Sequence, residues 1–317
     1  MNWLPLIFNW LWATPKTTAS HDVTYEAPIH GLRGLLYTLA PESPQATPYQ
    51  DDRLRNIAHH LQIEQIMSQH WPSDIAAPVV MKGFDYTLNL YPEIGLRRAN
   101  DIDLLISPQY FDEVCDTLAR FMDIRNAPNE NRFDHEAPSA VTFEFEDVTI
   151  DLHHTPIMNH QTRLNTDSII AASQLGKIGQ CDVLYPSPDD RLLLWLHNFS
   201  KNFQPINMHQ LIDLALILKS LKLGTTKADW NPVFIEVHKH GLFSAFKLAL
   251  SYLNASGIWF EPIELDRSVE QSRRYDTWIR SKTNPSTTFN VLKGLLLIRR
   301  TIPEGRVAVA QRLLSKL

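Results

Sequence analysis

The sequence predicts an α+β fold, a small mixed-sheet core set between helical N-terminal and C-terminal elements. Three observations point there. Apolar residues recur at helical spacing on both sides of a central stretch. Inside that stretch, residues 77–152, the period shortens to β-rich runs and then to strict alternation. Helix-like segments separate those runs, which calls for a sheet of mixed direction.

The elements follow in order. "MNWLPLIFNWLWATP" is apolar but lacks the positive start of a secretory signal and carries Asn and Pro. At about a dozen residues it is too short to cross a bilayer, so it reads as a helix packed on the body, with an interfacial anchor as the alternative. "APESPQATPYQDD" (40–52) separates it from "RLRNIAHHLQIEQIMSQHW", a helix whose expected apolar positions are Leu54, Ile57, Leu61 and Ile66. "APVVMKG" (77–83) reads as a strand closed by Gly83, and "FDYTLNLYPEIG" as the helix after it. "DIDLLIS" is a second strand, and Pro108 opens a helix running to about Phe121.

"SAVTFEFEDVTIDLHHTP" (139–156) alternates strictly and predicts an antiparallel hairpin. Val141, Phe143 and Phe145 share one face of its first strand, Val148, Ile150 and Leu152 one face of its second, with the turn at Glu146–Asp147. From Ser187 the pattern is helical: "SPDDRLLLWLHNF" offers Ser as N-cap, Pro at the first position and acids in the first turn. The expected division is a helical segment over 1–75, the α/β core over 76–165, and a helical C-terminal domain with a basic tail over 166–317.

The composition, 44% hydrophobic and 21% charged, is that of a globular chain. Cys115 and Cys181 lack CxxC spacing and cannot build a disulfide framework, which suits a reducing cytoplasm. No transmembrane segment, Walker loop, dinucleotide fingerprint or nucleophile-elbow motif is present. The net charge of −5 is polarised. Residues 271–317 carry ten Lys or Arg against Asp276 and Glu304, so this tail is +8 and the rest of the chain −13. Such a tail can face RNA or another polyanion, or form a solvated helix face that pairs with the acidic body.

The chemistry concentrates in "RRANDIDLLIS". On a strand Asp101 and Asp103 share a face about 6.5–7 Å apart, with Ile102 and Leu104 turned into the core. Two carboxylates so placed repel unless a cation sits between them, which suits a hard divalent metal. Asp151, with Thr149 and His153 on its own face, would be the third carboxylate if its strand lies beside "DIDLLIS". Three carboxylates can hold two Mg²⁺ ions about 3.5–4 Å apart. The same spacing also occurs as solvated acids on an edge strand. Here Gly83 supplies a strand-to-helix turn that phosphate could approach, and Lys82, Arg97 and Arg98 bring cations to the acids.

"MKGFDYTLNLYPEIGLRRANDIDLLIS", followed about fifty residues later by "TIDLHH", resembles the uncharacterised bacterial nucleotidyltransferase family of the polymerase-β-like superfamily. "LYPSPDDRLLLWLHNFSKN" and "HQLIDLALIL" resemble that family's helical half, so the likeness spans roughly residues 50–220. It implies a polymerase-β-like core that transfers a nucleoside monophosphate from an NTP, ATP foremost, with Mg²⁺ or Mn²⁺. Asp101 and Asp103 would match the metal-binding pair, Asp151 the third carboxylate, and Gly83 the glycine of the phosphate-binding turn. The superfamily's Gly-Ser or Gly-Gly at that turn is Gly83-Phe84 here, so a serine phosphate contact is missing, and Lys82 or Arg98 would have to replace it.

The acceptor implied is a small hydroxyl metabolite, a protein side chain or a tRNA 3′ end. Asp213, one helical turn from His209, becomes a candidate site wall by the same likeness. His153 is a candidate partner or base on the carboxylate face, whereas His154 and His197 read as structural. Two other classes compete: a degenerate nucleotide-binding module without turnover, and an RNA-binding protein that uses its basic tail.

Overall fold

The computed structural model describes residues 4–12, 30–44, 46–72, 74–125, 140–156, 164–201, 208–223 and 229–256. In chain order the helices and strands are α1 (Leu4–Trp12), α2 (Arg33–Leu39), α3 (Gln50–His70), β1 (Val79–Met81), α4 (Lys82–Asn89) and β2 (Asp101–Leu105). Next come α5 (Phe111–Leu118), β3 (Asp123–Ile124), β4 (Ala140–Phe145), β5 (Val148–His153), α6 (Thr166–Ala172), β6 (Gln174–Ile178) and β7 (Cys181–Tyr185). α7 (Pro188–Lys201), α8 (Met208–Ser220), α9 (Asn231–Lys239) and α10 (Phe243–Ser256) follow. This is the α+β class expected, and the basic tail at 271–317 lies outside the described residues.

Two compact units divide the chain within α7, after Leu194. The first unit runs from His30 to His160 and from Leu164 to Leu194. Its described strands form one mixed sheet in the order β3-β4-β5-β2-β1-β7-β6. β2 sits centrally, parallel to β5 and antiparallel to β1. The expected hairpin is β4–β5, turning at Glu146, whose φ of 53° makes the reversal. β6 and β7 form a second hairpin, around Gly179 at φ 58°, that no strand assignment anticipated.

Period-2 alternation divides the sheet's two faces. On one, Val80, Ile102, Leu104, Ile150 and Leu152 pack against Ile63 and Met67 of α3 and Val114 and Leu118 of α5. On the other, Val79, Met81 and Leu105 pack with Ile169 of α6 and Leu194 of α7. Asp101 and Asp103 stand on this second face, at the start of β2.

The apolar face expected for α3 needs correction. Leu54 and Leu61 are exposed, and the helix buries His60, Ile63, Ile66 and Met67. At 100° per residue, Leu54 and Leu61 point opposite to Ile63 and Met67. His60 stacks flat on Phe84, ring centroids 4.6 Å apart and planes within 8°, so a histidine occupies the row a hydrophobe would mark.

The second unit holds α1, the rest of α7, and α8 to α10. α1 buries Ile7, Phe8 and Leu11, as expected of a packed helix. Lys219 of α8 donates to the carbonyl of Leu11 at 2.6 Å and lies 5.7 Å from the Trp12 ring centroid. Among the described residues, no helix is long and apolar enough to cross a membrane.

Candidate active site

Register builds the site. Across the parallel β2–β5 pair, Asp103 is opposite Asp151 and Asp101 opposite Thr149. Neighbouring strands lie about 4.8 Å apart, so two carboxylates from residues 48 positions apart become lateral neighbours, with the third two residues upstream. Across the antiparallel pair Asp103 is opposite Met81, the last residue of β1. The chain therefore leaves β1 beside Asp103, and the first residue out is Lys82.

Lys82 has φ 53°, the left-handed region that costs a residue with a Cβ about 1–2 kcal/mol. Its ammonium pairs with Oδ1 of Asp103. His153 Nε2 lies 3.0 Å from the same oxygen, a distance at which a protonated Nε2 donates. Asp151 Oδ1 accepts the hydroxyl of Thr142 at 2.7 Å. Thr142 carries no sequence signal of its own; its register opposite Asp151 on β4 reveals it.

The two members of the Asp-x-Asp pair differ electrostatically. Burial, then the charges of Asp103 and Asp151, push the Asp101 carboxyl up to about 6. Burial works the same way on Asp103, but the Lys82 ammonium and then His153 overcome it and hold that carboxyl well below the usual range. Lys82 mirrors this: burial opposes its charge, and Asp103 more than compensates, raising it. One acid is paired and firmly ionised while its neighbour is crowded.

The donor set fits a divalent cation. One ligand atom each from Asp103, Asp151 and His153 lie within 4.8 Å of one another, close enough for small side-chain rotations to bring them onto one ion. Carboxylate oxygens and an imidazole nitrogen are ordinary ligands of divalent ions. Asp101, expected beside them, falls outside this tight group but close enough to be repelled by both acids.

The strand-to-helix turn is braced from two sides. The Arg97 guanidinium donates from Nη1 to the carbonyls of Gly83 at 3.1 Å and Arg98 at 3.0 Å, and lies 5.6 Å from the Tyr86 ring centroid. A Cβ on residue 83 would meet that Nη1 at 2.8 Å, so glycine is needed here for the close approach of Arg97. Behind the turn, Asp85 of α4 takes two hydrogen bonds from Arg191 of α7, at 2.6 and 2.8 Å, with the carboxylate fully buried. Asn89 adds a third at 2.8 Å.

Sequence reading missed this pair, whose members are 106 residues apart; the flanking of Asp85 by Phe84 and Tyr86 was the available clue. Arg98 is exposed, and its backbone N–H donates to the Gly31 carbonyl at 3.2 Å. Asp213 is buried in α8 and belongs to the second compact unit, as does the buried His197. His154 packs edge-on against Phe111, centroids 4.6 Å apart.

Residues 24–256 match a family model described as "Uncharacterised nucleotidyltransferase". Among curated proteins none matches the chain.

Proposed function

The chain belongs to this uncharacterised nucleotidyltransferase family, and from that premise we propose that it transfers a nucleoside monophosphate from an NTP, ATP foremost, to a hydroxyl acceptor in a divalent-metal-dependent reaction. The observation that carries the proposal is the lateral pairing of Asp103 with Asp151 across β2 and β5, with Asp101 on the same face and His153 within ligand reach.

Asp103, Asp151 and His153 would hold the cation, with the Asp101 carboxylate two residues upstream on the same face. When bound, Mg²⁺ or Mn²⁺ would neutralise triphosphate charge and lower the barrier to attack at the α-phosphorus. The acceptor oxygen bonds to that phosphorus, the bond to the bridging β-phosphate oxygen breaks, and its electron pair leaves with pyrophosphate. The acceptor proton passes to Asp151, whose Oδ1 already takes a hydrogen bond from a hydroxyl, that of Thr142. The Gly83 turn, held by Arg97 and by Asp85–Arg191, supplies a rigid floor for the phosphates; Lys82 and Arg98 are the cations beside it. The acceptor itself is a small metabolite, a protein hydroxyl or a tRNA 3′ end.

The test is incubation with each α-³²P-labelled NTP, Mg²⁺ or Mn²⁺, and host lysate fractionated into metabolites, protein and RNA. Label should enter one fraction, should not enter from γ-³²P-labelled NTP, and should be lost in Asp151→Asn. Nucleotide binding without labelling of any fraction would favour a non-catalytic binding module. Labelling undiminished in Asp103→Asn and Asp151→Asn would sink the assignment.

A further inference from the structure

Lys82 presents a conflict that the proposed reaction leaves unexplained. Its backbone sits at φ 53°, a conformation glycine or asparagine adopts more readily. Backbone strain of this kind persists where the surroundings over-determine it, and it concentrates at functional positions. What the position gains from lysine is therefore its side chain. That side chain is four-fifths shielded from solvent, and its ammonium is bound to Oδ1 of Asp103, itself almost wholly buried. The same carboxylate supplies one of the three ligand atoms, from Asp103, Asp151 and His153, lying within 4.8 Å of one another, and His153 Nε2 lies 3.0 Å from the oxygen that Lys82 holds.

We infer that Lys82 is a tethered counter-ion: its ammonium occupies the cation's place at Asp103 until a divalent metal arrives, and the metal then releases it toward the nucleotide's phosphates. The inference rests on the proposed nucleotidyl transfer, and adds to it a competition and a coupling. The competition is geometric, since an ammonium and a divalent ion crowded onto the one carboxylate of Asp103 repel each other strongly. The coupling follows from linkage. Metal alone must displace the ammonium, which weakens its binding. Nucleotide gives the displaced ammonium a new anionic partner, so each ligand tightens the other by the same factor.

The reach is short, because Lys82 stands at the first position of α4, immediately before the Gly83 turn over which the phosphates are proposed to lie. A tethered cation also explains how three acids can stand on one sheet face before metal binds. It pairs Asp103 while leaving Asp101 crowded.

The experiment measures Mn²⁺ binding to the full chain by the free-ion electron paramagnetic resonance signal, with and without α,β-methylene-ATP. Wild type is compared with Lys82→Met, Lys82→Gly and Lys82→Arg. Wild type should bind Mn²⁺ weakly alone and about tenfold or more tightly with nucleotide, within the usual range of coupling. Lys82→Met and Lys82→Gly should bind Mn²⁺ alone about tenfold more tightly than wild type, bind nucleotide more weakly, and lose most of the coupling. Lys82→Arg keeps the charge and should stay close to wild type for Mn²⁺ alone. Glycine suits φ 53°, so Lys82→Gly decides the matter if Lys82→Met fails to fold.

Metal affinity in Lys82→Gly equal to or below that of wild type, with wild-type coupling intact, would overturn the tethered counter-ion and leave nucleotidyl transfer standing. A wild-type protein that binds neither Mn²⁺ nor nucleotide would overturn both.

Discussion

Asp101→Asn should stabilise the metal-free protein while abolishing transfer. A carboxyl whose pKa has climbed from the ordinary 3.8 to about 6 has lost about 3 kcal/mol of preference for its charged form. The sign follows from linkage: the folded protein holds this proton more tightly than the unfolded chain does. Asp101 therefore reduces stability progressively as pH rises from about 4 to about 6, and the loss is complete above that window. Asparagine is nearly isosteric and does not titrate there.

Because Asn keeps the polar burial but not the charge, the gain at pH 8 should be about 1–3 kcal/mol, or roughly 2–10 °C in melting temperature for a domain of this size. Below pH 4 it should vanish. The assay is thermal unfolding in EDTA from pH 3.5 to 8.5, run beside the labelling assay at pH 8. A variant that melts below wild type at pH 8, or whose advantage is the same at pH 4 and pH 8, refutes the crowding argument.

Asp103→Asn should do the opposite. It leaves the buried Lys82 ammonium without its counter-charge, so urea unfolding at pH 7 should show a loss of about 2–4 kcal/mol; a stability gain like that of Asp101→Asn would contradict the pairing. Gly83→Ala forces Arg97 off the turn and should cost about 1–3 kcal/mol. Combined with Arg97→Ala the costs should fall short of additive by at least about 0.5 kcal/mol, and strict additivity would mean the two residues do not interact. Arg191→Met strands the fully buried Asp85 and should cost about 3–5 kcal/mol, most of it recovered by adding Asp85→Leu. Denaturant midpoints of the single and double variants decide that, and no recovery would argue against an ion-pair role.

Local patterns were legible and distant pairings were not. Alternation in "DIDLLIS" and "VTIDLHH" is enough to put Asp101, Asp103, Asp151 and His153 on single faces, because side-chain direction on a strand depends only on parity. Parity also made the convergence of Asp103 and Asp151 conditional on one fact, adjacency of β2 and β5, which the structure supplies. The partners of the charges could not be read this way. Arg97 was legible only as a cation beside the acids, and its hydrogen bond back onto the carbonyl of Gly83 was not. Lys82 meets Asp103 only because β1 runs antiparallel to β2 and ends opposite it. The apolar face of α3 was misplaced because Leu54 and Leu61 mark the solvent side, while His60 stands in the buried row.

β1 is three residues long and has β2 on one edge and β7 on the other, joined to β7 through Val79 and Leu184. During synthesis β2 and β5 are complete well before β7 exists, so the strand that presents Lys82 spends that interval with one edge open. At about 5–20 residues per second, the roughly thirty residues between His153 and Leu184 take on the order of 1.5–6 s to make. The nascent chain thus owns its acidic ladder before it owns a fixed lysine to quiet it. Ribosome-stalled chains ending shortly before β7 should be cut by protease near β1, and chains long enough to expose β7 should resist. Equal cleavage of both would mean that β1 is secured without its later neighbour.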